Sequence, residues 1–322
     1  MEDEDEKVAL RFVIPTGESE LTVSDGMVNA FQLCSEQGFE PTWIKENKLL
    51  ELNPTKTVTF IQGDLDVFVF DPFEGPGFEH LTKSNKFKCT VVGPMCLIPC
   101  VEENSPIPNL PYPMYSTAMK GLWITISGFH KDEKAEIQTL IERMSGMYSP
   151  VLHDGVTHII SSKVNSEKYK VAVKIPIPVM TKEWVYEVWK ACKRGTVSAV
   201  DSRFLQYICP ALLGLTVTVS QLSKVDRNAI KKKIETHGGY FLPELTMDET
   251  DILICVSGEG PKFEFAQKWK IPCLNIQWIL HSVDKGTALP MDEYRVERES
   301  NKASTPTKED TTVTGLEEVS IY

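Results

Sequence analysis

Along the chain, short runs of apolar and β-branched residues alternate with stretches whose apolar positions recur every three or four residues. The first pattern predicts strands buried on both faces, and the second predicts helices with one apolar stripe. One series begins with the strand Trp123-Ile-Thr-Ile-Ser127, followed by a helix on which Ile137, Leu140, Ile141 and Met144 share a face. Strands at Met147 to Tyr148 and Thr157 to Ile160, a helix at Ser166 to Val173, a strand at Ile177 to Met180 and a helix at Lys182 to Lys193 complete it. Such alternation with short links predicts a small parallel sheet with helices on both faces.

The series then recurs. Thr216-Val-Thr-Val-Ser220 repeats the first strand, and Ile230 and Ile234 repeat the helical face. Lys134 meets Arg227, Gly146 meets Gly239, Thr157-His-Ile-Ile160 meets Asp251-Ile-Leu-Ile254, Lys168 meets Lys262, and Trp184 meets Trp278, at a steady offset of 93 or 94. That offset is too long for a solenoid repeat and right for duplication of a small domain. The later copy predicts strands at Tyr240 to Leu242, Asp251 to Val256 and Cys273 to Asn275, with helices at Lys262 to Trp269 and Ile276 to Lys285. Ser223-Lys-Val-Asp226 fits a capping box, and the first helix of each copy is expected to stop on a left-handed Gly.

The first hundred residues read as a diverged third copy. Arg11 to Ile14 is a strand, Gly26 to Glu36 a helix, and Asp66 to Phe70 and Lys88 to Val92 are strands. Pro106 to Pro113, half of it proline, is a linker, and a second join falls at Arg203 to Pro210. Beyond about Arg298 apolar periodicity fades and a disordered tail, residues 299–322, is expected; Ser304-Thr-Pro306 there has the form of a proline-directed kinase acceptor, but Thr-Pro is a common dipeptide and the ordinary reading is favoured. At 322 residues the chain suits two or three domains.

Charge and composition narrow the function. The net charge of −11 is the wrong sign for a chain whose main work is gripping a nucleic-acid backbone, though it leaves room for local basic pockets. No apolar run approaches the roughly 20 residues that span a bilayer, and the acidic opening Met1-Glu2-Asp3-Glu4-Asp5-Glu6 lacks the layout of a signal peptide. The eight cysteines form no Cys-x-x-Cys pair and the six histidines are dispersed, which predicts buried reduced thiols in an intracellular protein and no metal site. No nucleophile elbow, zinc-protease or phosphate-loop motif occurs, so no catalytic residue is assigned and no cofactor is expected.

The repeated polar residues point to an anion site. A strand ending in Ser127 or Ser220, followed by a turn and a helix start, gathers a hydroxyl and free amides at the positive end of a helix. Lys134 or Arg227 on that helix and Lys168 or Lys262 at the start of the next would ring the same spot with cations. Alone, such a Ser is an ordinary cap and such a Lys an ordinary surface residue; the trio recurring in both copies selects the anion site. Phosphoserine or phosphothreonine suits it. Charge-assisted bonds of about 1.5–3 kcal/mol each, less ordering costs, would give roughly micromolar binding, raised if two sites engage one partner. Lys231-Lys-Lys233 lies inside a helix and reads as a solvated face, and Trp184 and Trp278 as core. Trp269, seven positions after Lys262 on the same helix face, is open to two roles: core, or the wall of a peptide groove.

The Ser127-Gly128 turn, the Gly238-Gly239 pair, the lysine leading a hydrophobic helix and the late tryptophan together resemble BRCT domains, small α/β modules common in DNA-damage and replication proteins. Phe70-Asp-Pro-Phe73, Phe78-Glu-His-Leu81, Val92-Gly-Pro94, Lys168-Tyr169, Val225-Asp-Arg227 and His237-Gly-Gly239 extend the likeness. It implies a diverged module over 8–113 and two full ones over 119–204 and 208–298, each a four-stranded parallel sheet flanked by helices. It places phosphate binding on Ser127, the Gly128 amide, Lys134 and Lys168, and again on Ser220, the Gln221 amide, Arg227 and Lys262. Gln221 departs from the usual glycine, and Lys134 cannot form the two-pronged contact of an arginine. The first module has Thr16-Gly17 after its strand but no lysine opening its second helix, and is expected to be structural. The resemblance further implies a nuclear, non-enzymatic adaptor whose partners are the phosphorylated tail of the checkpoint clamp and a phosphorylated replication-initiation factor. DNA-end or nicked-DNA binding, and a purely apolar assembly role, are the alternatives.

Overall fold

In the computed structural model, which describes residues 8–51, 65–83 and 89–298, the alternating pattern becomes three parallel sheets. The first comprises β1 (Val8–Ile14), β2 (Thr42–Lys45), β3 (Leu65–Val69) and β4 (Thr90–Val92), with α1 (Asp25–Glu36), α2 (Glu46–Leu50), α3 (Pro76–Thr82) and α4 (Pro94–Glu102). The second comprises β5 (Trp123–Ser127), β6 (Met147–Tyr148), β7 (His158–Ser161) and β8 (Val179–Met180), with α5 (Lys131–Arg143), α6 (Glu167–Lys174) and α7 (Lys182–Cys192). The third comprises β9 (Thr216–Val219), β10 (Tyr240–Phe241), β11 (Ile252–Ile254) and β12 (Cys273–Leu274), with α8 (Lys224–Thr236), α9 (Pro261–Lys268) and α10 (Gln277–Lys285). Each sheet runs second strand, first, third, fourth, every pair parallel, so the first strand of each module is central and its end opens between two helix starts.

Alternation along the central strands divides the interior into layers. Leu10, Phe12 and Ile14 of β1 pack with Met27 and Leu97 on one face of the first sheet, while Val13 and Phe68 face the other way. That second face shares a core with Ile124, Ile126, Ile160 and Trp184 of the second module. The opposite face of the second sheet, through Ile159, Tyr169 and Ala172, shares a core with Val217, Val219, Ile252 and Trp278 of the third. Leu253, Cys255, Phe263 and Cys273 then close the last layer. Parallel sheets need cover on both faces, and here neighbouring modules supply much of it.

Polar contacts fix the joints. The Arg143 carbonyl accepts from the Tyr115 and Ser116 amides at 2.6 and 3.1 Å, and its guanidinium lies 5.8–6.0 Å from the rings of Phe73, Phe78 and Trp189. Between the second and third modules, Lys163 Nζ pairs with Asp251 Oδ1 at 2.7 Å. There too the Tyr169 hydroxyl accepts from the Ala288 amide at 3.0 Å.

Trp184 and Trp278 are buried, and their indoles donate to the Ala199 and Leu289 carbonyls at 2.9 Å. Ser223 caps α8 as its sequence predicts, accepting from the Asp226 amide at 3.1 Å. Three details differ from expectation. The left-handed residue that stops α5 is Ser145 (φ 62°), not Gly146; Gly146 is needed because a Cβ there would meet Ile141 Cγ2 at 2.8 Å. Strand β8 begins at Val179 rather than Ile177, whose amide is spent on the Ala172 carbonyl at the end of α6. In the first module β2 and α2 were not anticipated, α2 having only five residues, and the second helix, α3, was expected without bounds because it opens on Gly75-Pro76-Gly77, which reads as a turn. Lys88, the residues 299–322 and Ser304-Thr-Pro306 lie outside the described residues. No helix among the described residues is long and apolar enough to cross a membrane.

Candidate functional site

In the second module β5 delivers Ser127 to the open end of the sheet, and Gly128 turns the chain with φ +83°. Only glycine fits: the left-handed conformation penalises a side chain, and a Cβ would fall on Ser162 Oγ, which donates to the Gly128 carbonyl at 2.6 Å. The following helix, α5, starts without a side-chain cap, leaving its first amides unclaimed by a neighbouring side chain. Lys134 stands at the fourth position of α5, half-buried, its ammonium 5.8 Å from the Tyr148 ring.

Lys168 comes from the other side. Ser166 caps α6 by accepting from the Tyr169 amide at 3.2 Å, which sets Lys168 as the second helical residue. Its ammonium donates to Thr125 Oγ1 at 2.7 Å, the Ile126 carbonyl at 3.3 Å and the Pro150 carbonyl at 2.7 Å. These acceptors hold it against the strand residues immediately before Ser127. All three are neutral. Burial, and then the nearby Lys134 cation, push its pKa below the usual lysine value, so the two cations lie within electrostatic reach of each other.

The third module repeats this geometry atom for atom. Lys262, second residue of α9, donates to Thr218 Oγ1 at 3.2 Å, the Val219 carbonyl at 3.1 Å and the Pro243 carbonyl at 2.7 Å. Its pKa is lowered by burial and then by Arg227, with Glu244 opposing. Arg227 occupies the fourth position of α8, as Lys134 does in α5, and is exposed. Gln221 takes the place of Gly128 and keeps its left-handed backbone, at φ +64°. Its side chain holds that turn: Nε2 donates to Ser257 Oγ and the Glu259 carbonyl, both at 2.9 Å, and Oε1 accepts from the Ser257 amide at 2.8 Å.

The structure therefore places each lysine against the strand residues that precede its serine and within electrostatic reach of a cation from another helix. Ser127, Ser220, Lys134 and Arg227 have no side-chain hydrogen bond or ion pair among the described residues. Trp269 caps the C-terminal end of α9, two turns from Lys262, partly buried with its ring tilted 37° to that of Phe265 at 5.4 Å. Thr125 and Thr218, and the carbonyls of Pro150 and Pro243, were missed by sequence reasoning. The signal was present: each pair keeps the 93-residue offset, Thr two places before the serine and Pro ahead of the third strand.

A twin BRCT domain model matches residues 122–184 and 215–278, and a model of the TopBP1 BRCT0 domain matches residues 20–117. The chain belongs to the BRCT-domain family, as a tandem BRCT protein with three modules in series. Among its relatives it resembles the N-terminal triple-BRCT region of DNA topoisomerase II-binding protein. Mouse protein ECT2 is 26% identical over 243 residues, 75% of this chain and 26% of that protein. The S-M checkpoint control protein rad4 of Schizosaccharomyces pombe is 29% identical over 195 residues, 58% of this chain and 29% of that protein. The matched region spans less than a third of these relatives' length. The crystal structure of Rad4 BRCT1,2 in complex with an Mdb1 phosphopeptide superposes with a TM-score of 0.50 at 26% identity, covering 56% of this chain and all of that one.

Proposed function

We propose that the chain is a nuclear, non-enzymatic adaptor whose second and third modules each bind phosphoserine or phosphothreonine on flexible segments of DNA-damage checkpoint and replication-initiation proteins. One observation carries this reading: Lys168 and Lys262 are each held by three neutral acceptors, two of them on the residues just before a strand-end serine, and each lies near a second cation; neither lysine is in an ion pair among the described residues, Glu244 acting on Lys262 only at longer range. A partly desolvated lysine beside a second cation, with a serine hydroxyl that has no partner among the described residues, suits an anion with several oxygens. Rad4 BRCT1,2, which matches 56% of this chain, is solved with an Mdb1 phosphopeptide bound.

The assigned contacts are Ser127, the Gly128 amide, Lys134 and Lys168 in one pocket, and Ser220, the Gln221 amide, Arg227 and Lys262 in the other. Trp269 lies about 10 Å farther along α9 than Lys262, where it would meet residues flanking the phosphate. The phosphorylated tail of the checkpoint clamp and a phosphorylated replication-initiation factor are the partners proposed. The test is binding of the full chain and of Lys168→Glu plus Lys262→Glu to a phosphopeptide array, with and without phosphatase. Phosphate-dependent capture lost in the double variant is expected; capture that survives it would show that the pockets are misassigned. DNA binding that falls steeply with salt and ignores phosphopeptide competition would instead favour a nucleic-acid role.

A further inference from the structure

The first module has a strand-end hydroxyl too, and spends it differently. Glu46 opens α2 and is 4% exposed. Its Oε2 accepts from the Thr16 amide at 2.9 Å and from Thr16 Oγ1 at 2.7 Å, and its Oε1 accepts from the Gly77 amide at 2.8 Å. Thr16 lies two residues past β1 and just before the left-handed Gly17, as Ser220 lies one residue past β9 and just before the left-handed Gln221. Gly77 is the second residue of α3, which opens Gly75-Pro76-Gly77-Phe78-Glu79, whereas α9 opens Gly260-Pro261-Lys262-Phe263-Glu264. The two leading glycines even share a backbone conformation, φ +98° and +89°. Gly77 is thus the counterpart of Lys262.

The missing lysine and the buried carboxylate are coupled. A Cβ at Gly77 would meet Glu46 Cγ at 2.5 Å, and one at Gly75 would meet Glu46 Oε1 at 2.6 Å. A lysine at position 77 and Glu46 in its present place exclude each other. Two oxygens of one anionic group therefore sit where donors of the strand end and of the second helix converge, the place that the cations encircle in the other modules.

We infer that the first module's pocket is an anion site filled from within: Glu46 is a tethered surrogate for a phosphate group and keeps phosphorylated partners out of this module. The choice of phosphate as the excluded ligand rests on the function proposed for the other two pockets; the Glu46 contacts stand without it. The first module consequently keeps its strand end and its two helix starts locked together whether or not any partner is phosphorylated.

Amide resonances of the full chain titrated with phenyl phosphate, a small phosphate monoester, test this. In the wild type, Thr16 and Gly77 are expected to stay unmoved, and in Glu46→Ala plus Gly77→Lys the Thr16 amide is expected to shift in a saturable way. A shift of Thr16 and Gly77 in the wild type would overturn the inference, as would a folded double variant that stays silent. Should the double variant fail to fold, Glu46→Gln decides: with the charge gone, phosphate should compete for Thr16, and an unmoved amide would count against the surrogate. The amides of Gly128 and Gln221 report separately on the other pockets. Their silence would overturn the proposed function and leave the Glu46 result to be read on its own.

Discussion

Lys163 of the second module and Asp251 of the third form a 2.7 Å ion pair, and the second oxygen of Asp251 accepts from the Thr216 amide at 2.8 Å, at the start of β9. One carboxylate therefore links two modules and satisfies a backbone donor at the start of a central strand. Asp251→Ala is expected to destabilise the full chain by about 2 kcal/mol, because it orphans the Thr216 amide as well as Lys163. Lys163→Ala removes only a partly exposed pair and should cost less than about 1 kcal/mol. Denaturant unfolding of both variants checks the order; equal losses would mean that the amide contact contributes nothing.

Lys168 illustrates a site held against stability. Burial and the neighbouring Lys134 lower its pKa from 10.5, so the folded state binds this proton less tightly than the unfolded chain. The stability it subtracts is therefore present below the folded pKa and is regained as pH rises toward 10.5. Lys168→Met should leave the melting temperature unchanged or raise it at neutral pH, while weakening phosphopeptide binding to the second module by about tenfold or more. Calorimetric melting beside a binding titration measures both; a large drop in melting temperature would assign the lysine to the fold instead.

Gln221 holds a left-handed turn that glycine ordinarily supplies, and its side chain compensates through Ser257 and Glu259. Gln221→Ala keeps the backbone strain and loses the tether, and should cost about 2 kcal/mol. Gln221→Gly loses the tether but relieves the strain, so its cost should be smaller. Unfolding midpoints for the pair, with hydrogen exchange at the Ser257 amide, decide; if glycine proves the worse substitute, the strain is immaterial.

Burial raises the pKa of Glu46, but the Thr16 hydroxyl and the Gly77 and Thr16 amides outweigh it and leave the value below 4.5. A depressed carboxyl contributes stability that is fully present above the unfolded value and disappears as pH falls through the folded one. The wild type should thus lose stability more steeply than Glu46→Gln in that acid window, and the two curves should converge at its lower end. Parallel curves across the window would show that the carboxylate is not preferentially stabilised by its three donors.

The duplicated modules were legible because their information is local. Strand ends, helix starts and the steady spacing of Ser127, Lys134 and Lys168 with their later counterparts all lie in short stretches with period two or 3.6. The pocket floor was half legible, since Thr125 and Thr218 looked like strand residues until the ammonium groups were seen to reach them. Glu46 was not legible at all. It lies 30 residues from Thr16 and 31 from Gly77, in a helix too short to carry a pattern, and nothing local signals that it turns inward. The sharing of cores between modules was hidden for the same reason: a strand buried on both faces reads alike whether its cover is its own helix or a neighbour.

Tyr169 follows Lys168 directly, and its phenol is hydrogen-bonded to the backbone at Ala288. The helix that presents one module's cation is thereby roofed by the next. A fragment ended near Cys209 would keep all four strands of the second sheet yet strip the outer flank of α6, and its ammonium would ride on an uncovered support. Feeble phosphopeptide capture by such a fragment would report the lost roof rather than a defective pocket, so the second and third modules belong together in any experiment that asks what either can hold.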